Sequence, residues 1–180
     1  MRKIPCAVER EFEGRGFTLT GKLTEGCEDD VAFGVPTRKR DGTATAIING
    51  ELYARYDAKR GAVPPEGAIP CQEPDPVTGH WPHWVKADRK EDKWIREAFE
   101  NSSALVDGTY EACGPKIGSN HERLETHVLF RHGAEVLDVP DRSFDGLRVY
   151  LQSNRIEGIV FWRDGEPRNK VRRHDFGFEW

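Results

Sequence analysis

A lysine followed two positions later by Asp-Gly is the most informative group of residues in this chain: Lys39-Arg40-Asp41-Gly42. Apolar stretches flank it on both sides, from Val31 to Pro36 and from Thr43 to Ile48. A lysine amine is a nucleophile only in its unprotonated form, which neighbouring cations favour. Asp and Gly are suited to a tight turn beside that amine. The element therefore predicts a reactive lysine, although taken alone it also fits a charged turn between two strands.

Three later segments carry charged residues next to strand-like runs. Asp107 to Lys116 reads as a strand that carries Glu111 and then reaches a Gly-Pro turn. Glu157 precedes the apolar residues Gly158 to Trp162, and Lys170-Val171-Arg172 brings two cations close to the C-terminus. Each segment taken alone fits an ordinary strand with a solvated charge. Their order and spacing after the lysine favour one shared function.

Together these four elements resemble motifs I, III, IV and V of the covalent nucleotidyltransferases, the superfamily of ATP-dependent ligases and mRNA-capping enzymes. Other segments resemble, more narrowly, a family of small single-domain RNA ligases. These segments are Tyr53 to Arg60, Ile69 to Pro76, and Lys170 to Gly177. The resemblance extends over about residues 30 to 180, which is nearly the whole chain.

The resemblance implies an ATP-dependent RNA ligase that joins 5′-phosphate and 3′-hydroxyl ends through an AMP linked to a lysine. The implied catalytic residues are Lys39, Glu157, Lys170 and Arg172. Glu157 would also be the carboxylate near a Mg²⁺ or Mn²⁺ ion. The implied ATP-binding residues are these four together with Asp41, Gly42, Arg55, Glu111 and Phe130. Phe130 as a wall of an adenine pocket stays open, because an ordinary core position explains it equally well.

Elementary chemistry gives these roles a physical basis. Lys170 and Arg172 would disfavour the charged form of the attacking amine and would neutralise phosphate oxygens as charge builds. A Mg²⁺ ion keeps several of its waters, so few protein ligands are expected. Glu111 and Arg55 would hold the ribose. Asp41 and Gly42 would shape the turn without reacting.

Composition limits the class of protein. At 180 residues we expect one domain, 1–180, and 10% aromatic residues argue against disorder. No run of apolar residues has the length of a membrane span, and the four cysteines form no Cys-x-x-Cys pair. The net charge of −4 disfavours a non-specific nucleic-acid binder but allows a local basic surface. We expect a cytoplasmic monomer that acts on RNA and has no membrane partner.

The pattern of apolar residues predicts an α+β fold of largely antiparallel sheets with flanking helices, of the adenylyltransferase type. The predicted strands are Ala32 to Val35, Ala44 to Ile48, Glu51 to Tyr56, Thr109 to Ala112, Glu125 to Phe130, Val149 to Leu151 and Gly158 to Trp162. Asn49-Gly50 and Asp164-Gly165 predict hairpin turns, the first of which would place Lys39 at the head of the strand that returns through Glu51. Helices are predicted at Lys90 to Asn101 and, as a short turn, at Ser143 to Gly146.

Three other interpretations stay open. The first is a nucleotidyltransferase with a different acceptor, and the second is a catalytically silent nucleotide- or RNA-binding module of the same fold. A DNA ligase or capping enzyme is disfavoured, because such enzymes append an OB-fold domain after the segment that here ends in Arg172. We therefore expect no C-terminal OB domain.

The third open interpretation concerns the biological role of the protein and not its chemistry: the ligation of RNA would counter RNA cleavage in a defence system.

Overall fold

The computed structural model describes residues 2–14, 16–59 and 61–179. Within them the chain divides into two compact units. One unit contains Asp41–His132 with the N-terminal residues up to Lys3, and is called here the six-stranded unit after its sheet. The other contains Ile4–Arg40 and the chain from Gly133 onward, and is called the three-stranded unit. The expectation of one domain over the whole chain stays a prediction.

The described residues form eleven strands, three α-helices and two short 3-10 helices. The strands are β1 Val8–Glu13, β2 Gly16–Leu23, β3 Val35–Lys39, β4 Thr43–Ile48, β5 Glu51–Lys59, β6 Ile69–Pro70, β7 His80–Lys86, β8 Gly108–Cys113, β9 Val128–Arg131, β10 Gly158–Arg163 and β11 Glu166–Arg172. The α-helices are α1 Glu28–Phe33, α2 Lys93–Glu100 and α3 Phe144–Ser153, and short 3-10 helices cover Lys90–Asp92 and Arg173–Phe176. Every described strand pair is antiparallel, so the α+β prediction with largely antiparallel sheets is confirmed at this level.

The six-stranded unit is built on one sheet with the strand order β6-β7-β5-β4-β8-β9. The predicted hairpin between β4 and β5 is confirmed, with Ile48 opposite Glu51. Its two turn residues, Asn49 and Gly50, have φ values of 53° and 76°. A tight two-residue hairpin of this type needs positive φ at both positions, which Asn and Gly tolerate best.

Helix α2 covers one face of this sheet. Its buried residues Ile95 and Ala98 pack with the strand residues Ile47, Ala54 and Leu129. Residues of the opposite face form a separate small cluster around Ala46, Tyr53 and Trp84. Because side chains alternate along a strand, residues paired with those of the second cluster point away from α2.

The three-stranded unit contains the sheet β11-β10-β3 and the hairpin β1-β2. Its core gathers Ile159, Phe161 and Val171 from the sheet with Leu147 and Leu151 from α3. The predicted Asp164-Gly165 turn is confirmed, since Arg163 pairs with Glu166 on either side of it.

Two predicted strands in this unit are wrong. Val149 to Leu151 lies inside α3, where Ser143 caps the first turn by accepting a hydrogen bond from the Gly146 amide at 3.1 Å. Leu147 and Leu151, one helical turn apart, are both fully buried, whereas Val149 between them, which would share their face in a strand, is exposed. The segment Ala32 to Val35 is divided between α1, which ends at Phe33, and β3, which begins at Val35.

The predicted position of Lys39 at the head of the strand returning through Glu51 is also wrong. Lys39 is the last residue of β3 in the three-stranded sheet, whereas β4 begins at Thr43 in the six-stranded sheet. The residues between them are not in a strand, so the Asp-Gly turn separates two sheets instead of leading into one. The predicted helix at Lys90 to Asn101 is confirmed as a 3-10 turn followed by α2. No helix among the described residues has both the length and the apolar character required to cross a membrane.

Candidate functional site

The candidate residues fall into two groups, one in each unit. Those of the three-stranded unit are Lys39, Glu157, Lys170 and Arg172. Those of the six-stranded unit are Asp41, Gly42, Arg55, Glu111 and Phe130. Arg60, which belongs to a segment that carries the family resemblance, lies outside the described residues.

Strand register brings three cations to one face of the three-stranded sheet. Gly158 on the central strand β10 pairs with Lys39 on one side and with Arg172 on the other. Val160, two residues further along, pairs with Lys170. Residues directly opposite one another share a face, and residues two apart along a strand do so as well. The intervening Ile159 is fully buried in the core, so the three cations lie on the face opposite that core.

Glycine is required at position 158, in the middle of this row. A Cβ atom there would overlap the backbone oxygen of Val171 and lie 2.9 Å from the Cα atom of Arg172. Real Cβ atoms do not approach a backbone this closely, so any larger residue would push the strands apart. The glycine therefore sets the spacing between Lys39 and Arg172.

Lys39 and Glu157 form a direct ion pair. The Lys39 Nζ donates to Glu157 Oε2 at 2.6 Å and to the backbone oxygen of Arg40 at 3.2 Å. The two paired side chains are only 21% and 17% exposed. A short charge-assisted hydrogen bond in a partly buried position orients both groups. Glu157 thus holds the amine of the candidate nucleophile in place.

Lys170 is the most electrostatically unfavourable member of the row. Burial lowers the pKa of its ammonium group, and the nearby cations Lys39 and Arg172 lower it further. Glu157 and Asp175 act in the opposite direction but do not offset these effects. A half-buried lysine beside other cations is typical of sites that bind or transform an anion.

Arg172 has a carboxylate partner that sequence reasoning missed. Its Nε and Nη2 donate to Asp175 Oδ1 at 3.1 and 2.9 Å. The side chain of Asp175 is completely buried, whereas that of Arg172 is 32% exposed. Asp175 stands three residues after Arg172, within a segment that carries the family resemblance, but an acidic residue at this spacing from an arginine is too common a pattern to have indicated it.

The arginines on either side of Lys39 share one carboxylate. Glu135 accepts from Arg38 Nη1 at 3.1 Å and from Arg40 Nη2. The backbone of Arg38 also donates to the Glu135 carbonyl at 2.9 Å. Glu135 therefore fastens the end of β3 that carries Lys39, and no pattern in the sequence indicated it.

In the six-stranded unit, three candidates point to the face opposite α2. Glu111 pairs with Ala44 on one side and with Phe130 on the other. Arg55 pairs with Trp84, which belongs to the cluster on that face. Arg55, Glu111 and Phe130 are all half-buried, and the register places them on one side of the same sheet.

Two of these residues are held by neighbours on their own face. The Arg55 guanidinium lies 5.4 Å from the centre of the Trp84 ring, and this indole is buried. The Glu111 Oε2 lies at hydrogen-bond distance, 2.8 Å, from His132 Nε2. The His132 Nδ1 is buried and has no hydrogen-bond partner within the described part of the chain. After Asp175 and Glu135, His132 is thus a third site residue whose contact the sequence did not predict.

Asp41 and Gly42 contribute to backbone geometry. A Cβ atom at Gly42 would overlap the backbone oxygen of Ala112 and lie 2.8 Å from Cys113 Sγ. The start of β4 can therefore approach β8 only with glycine at this position. The Asp41 Oδ2 accepts a hydrogen bond from the Ser119 amide at 3.4 Å.

The residues present fit a divalent ion that brings most of its own ligands. Among residues 2–14, 16–59 and 61–179, no group of three or more His, Cys, Asp and Glu side chains could hold a metal. Glu157 offers a single carboxylate next to a row of cations that suits phosphates. This donor set fits Mg²⁺ bound through phosphate oxygens, waters and one carboxylate, and it does not fit a metal held by the protein alone.

No protein-family model matches this chain, and comparison with curated proteins gives no significant match either. The functional assignment therefore depends on the geometry of the two groups of residues and on the motifs they form.

Proposed function

We propose that the protein is an ATP-dependent RNA ligase with an adenylyltransferase-type fold, and that Lys39 carries AMP during the reaction. The observation that supports this proposal best is the row on the three-stranded sheet. Lys39 is held at 2.6 Å by Glu157, and Lys170 and Arg172 lie on the same face. Attack on the α-phosphorus of ATP needs a nucleophilic amine. An adjoining carboxylate can orient that amine, and two cations can stabilise the charge on the phosphate oxygens.

In the first step the Lys39 Nζ attacks the α-phosphorus of ATP. An N–P bond forms, the bond from the α-phosphorus to the leaving pyrophosphate oxygen breaks, and the amine loses its proton. Glu157 is the group placed to orient the amine, and its carboxylate is close enough to accept that proton. Lys170 and Arg172 stabilise the negative charge that builds on the phosphate oxygens.

Two further transfers complete the reaction. An oxygen of the RNA 5′-phosphate attacks the phosphorus of the AMP on Lys39, the N–P bond breaks, and the lysine regains its amine. A 3′-hydroxyl then attacks the activated 5′-phosphate, a phosphodiester bond forms, and AMP leaves. A bound Mg²⁺ or Mn²⁺ ion, held by Glu157 with water and phosphate oxygens, would neutralise part of the charge on the phosphates.

The six-stranded unit supplies nucleotide-binding residues in this proposal. The resemblance implies that Arg55 and Glu111 contact the ribose and that Phe130 offers an apolar surface to adenine. Asp41 and Gly42 keep the backbone in its turn. The choice of ATP, the RNA acceptor, the monomeric state and the cytoplasmic location all follow from the resemblance and the composition.

A second candidate function is a nucleotide- or RNA-binding module without catalysis. The Lys39–Glu157 ion pair favours it to some extent, because a lysine paired with a carboxylate also has a purely structural use. This candidate predicts binding of a nucleotide with no covalent adduct on the protein. A nucleotidyltransferase with another acceptor predicts the adduct but no joining of RNA.

Intact-protein mass spectrometry after incubation with ATP and Mg²⁺ tests the first step. The wild type is expected to gain the mass of one AMP, and the Lys39→Ala variant is expected to gain none. Lys22→Ala is the matched control, since Lys22 is an exposed lysine of the same unit. The proposal would be overturned if no adduct forms with any divalent metal. Before that conclusion, pyrophosphatase must have been added, and the purified protein must have been shown to carry no AMP already.

The acceptor is tested with the adenylylated protein. An RNA that carries a 5′-phosphate and a 3′-hydroxyl is expected to become longer, whereas the same RNA with a 5′-hydroxyl is not. An adduct that never passes to RNA would assign the chain to a nucleotidyltransferase with a different acceptor. An adduct formed with GTP in place of ATP would indicate chemistry of the capping type.

A further inference from the structure

Asp175 is a buried carboxylate that the proposed chemistry does not use. Its side chain has no exposed surface, and it belongs to the 3-10 turn that follows β11. Both of its oxygens accept hydrogen bonds from charged or polar groups. The donors are Arg172 Nε at 3.1 Å, Arg172 Nη2 at 2.9 Å, the Arg172 backbone amide at 2.8 Å and Cys6 Sγ at 3.6 Å. Arg10 Nη2 forms an ion pair with Asp175 Oδ1 at 2.6 Å.

Charge is not balanced in this cluster. Arg172 and Arg10 carry two positive charges, and Asp175 carries one negative charge. One positive charge is therefore left over, and the side chain of Arg172 is 32% exposed while that of Arg10 is 16% exposed. A buried carboxylate is stable only with such partners, because removing them would leave its charge unpaired in the protein interior.

The contact between Asp175 and Arg172 fixes a direction as well as a distance. Nε and Nη2 form one edge of the planar guanidinium, and both donate to the same carboxylate. Two donors of one edge that converge on Oδ1 turn that edge towards the carboxylate, which the single ammonium group of a lysine could not match. The Arg172 backbone amide also donates to Asp175, so the carboxylate accepts hydrogen bonds from both the main chain and the side chain of Arg172.

We propose that Asp175 is a positioning residue, which holds Arg172 on the face of the sheet that carries Lys39 and aligns its guanidinium with the phosphates of the nucleotide. Arg10 supports it from strand β1 by sharing the carboxylate. Arg10 is itself held by the ring of Phe17, 4.5 Å away, so the β1-β2 hairpin contributes to the alignment. This inference rests on the proposed function for its catalytic consequence, but the contact between the two residues is independent of it.

The catalytic consequence is tested by single-turnover rates of adenylate formation in a double-mutant cycle. Asp175→Asn keeps the size of the side chain and removes its charge, and it is expected to slow the reaction about tenfold. In an Arg172→Lys background the same substitution is expected to add little, because its effect passes through Arg172. Asp164→Asn is the matched control, since Asp164 pairs with Arg168 on the surface of the same unit and is 76% exposed.

Equal effects of Asp175→Asn in the wild-type and Arg172→Lys backgrounds would overturn the proposal. A purely structural role produces that equality, since general loosening of the unit does not depend on Arg172. Thermal unfolding of all four proteins shows whether each variant is folded at the assay temperature.

A second measurement needs no activity. In ¹⁵N-labelled wild-type protein, the Arg172 Nε–H is expected to give a sharp signal that exchanges slowly with water, because it donates to a buried acceptor. Arg172→Lys assigns this signal by removing it, and Asp164→Asn is expected to leave it unchanged. An Arg172 Nε–H that exchanges like that of a free arginine would overturn the proposal even if Asp175→Asn does not fold. Failure of the wild type to form an adenylate would overturn only the proposed function.

Discussion

The two units fix their candidate residues by different physical means. In the three-stranded unit the cationic candidate residues are held by ion pairs, Lys39 with Glu157 and Arg172 with Asp175. In the six-stranded unit, Arg55 lies over the ring of Trp84, and Gly42 lets two strands approach closely. In each unit the candidate residues that lie on strands are on the sheet face opposite the one that packs against a helix, so the difference is in the supporting contacts.

This difference indicates a division of labour. Concentrating cations on one partly buried face is unfavourable for folding, as the lowered pKa of Lys170 shows. Such an arrangement persists where it stabilises charge in a transition state. Contacts of the second kind cost little and position a ligand without changing its reactivity. We therefore expect substitutions in the three-stranded unit to affect the rate of the chemical step, and those in the six-stranded unit to affect nucleotide binding.

Apart from replacement of Lys39 itself, the largest effect is expected for Lys170→Met, which removes a half-buried cation but keeps most of the side-chain volume. The rate of adenylate formation at saturating ATP should fall about 100- to 1,000-fold, the usual loss when one group that stabilises the transition state is removed. Single-turnover kinetics measured by mass spectrometry give this rate. Lys22→Met, at an exposed position of the same unit, should react like the wild type.

A rise in the ATP concentration needed for half-saturation, with an unchanged rate at saturation, would contradict this assignment. It would mean that Lys170 binds ATP and its transition state equally well. The two units would then not differ in the way proposed.

A smaller effect is expected for Glu111→Gln in the six-stranded unit. The substitution removes the charge that faces His132 and that we propose binds the ribose, so the half-saturating ATP concentration should rise about tenfold. The rate at saturating ATP should change little. Glu51→Gln is the matched control, because Glu51 lies on the same sheet and its ion pair with Lys86 is exposed.

A loss of rate at saturation in Glu111→Gln, without a change in half-saturation, would place Glu111 with the groups that act on the transition state. Such a loss of rate would show that residues of both units act on the chemical step, so the proposed distinction between the units would be lost.

Local chemistry explains which parts of the fold could be predicted. Asn49-Gly50 and Asp164-Gly165 tolerate positive φ, so their hairpins follow from the residues themselves. The segment Val149 to Leu151 was predicted as a strand because Val and Tyr favour strands. Burial of Leu147 and Leu151 against the three-stranded sheet, a tertiary effect, decides for a helix instead.

The same limit applies to the site. The Lys-x-Asp-Gly element indicated Lys39, but the contact with Glu157 depends on β10 lying next to β3. Asp175 and Glu135 escaped notice because an acidic residue has no recognisable pattern until its partners are known. Carboxylates that act through an arginine are therefore the residues that only the three-dimensional arrangement identifies.

The smallest expected effect is on the pH dependence of the free energy of unfolding. It tests only whether the cations of the three-stranded unit are electrostatically unfavourable in the folded protein. The pKa of Lys170 is lower in the folded protein than the ordinary lysine value of 10.5, first because of burial and then because of Lys39 and Arg172. Between the folded and the ordinary value, the unfolded chain binds more protons than the folded one. The free energy of unfolding therefore rises with pH across this interval. Below it, Lys170 is charged in both states and the unfavourable effect is present in full.

Urea unfolding from neutral to alkaline pH measures this difference between the wild type and Lys170→Met. The variant should be the more stable at neutral pH, and its advantage should shrink as the pH rises, because only the wild type regains stability by losing the Lys170 proton. Lys22→Met should follow the wild type throughout. Parallel curves for the wild type and Lys170→Met would mean that the row of cations is not strained in the folded protein. The three-stranded unit would then hold its charges as easily as the six-stranded unit holds Arg55, and the reason for expecting chemistry there would be lost.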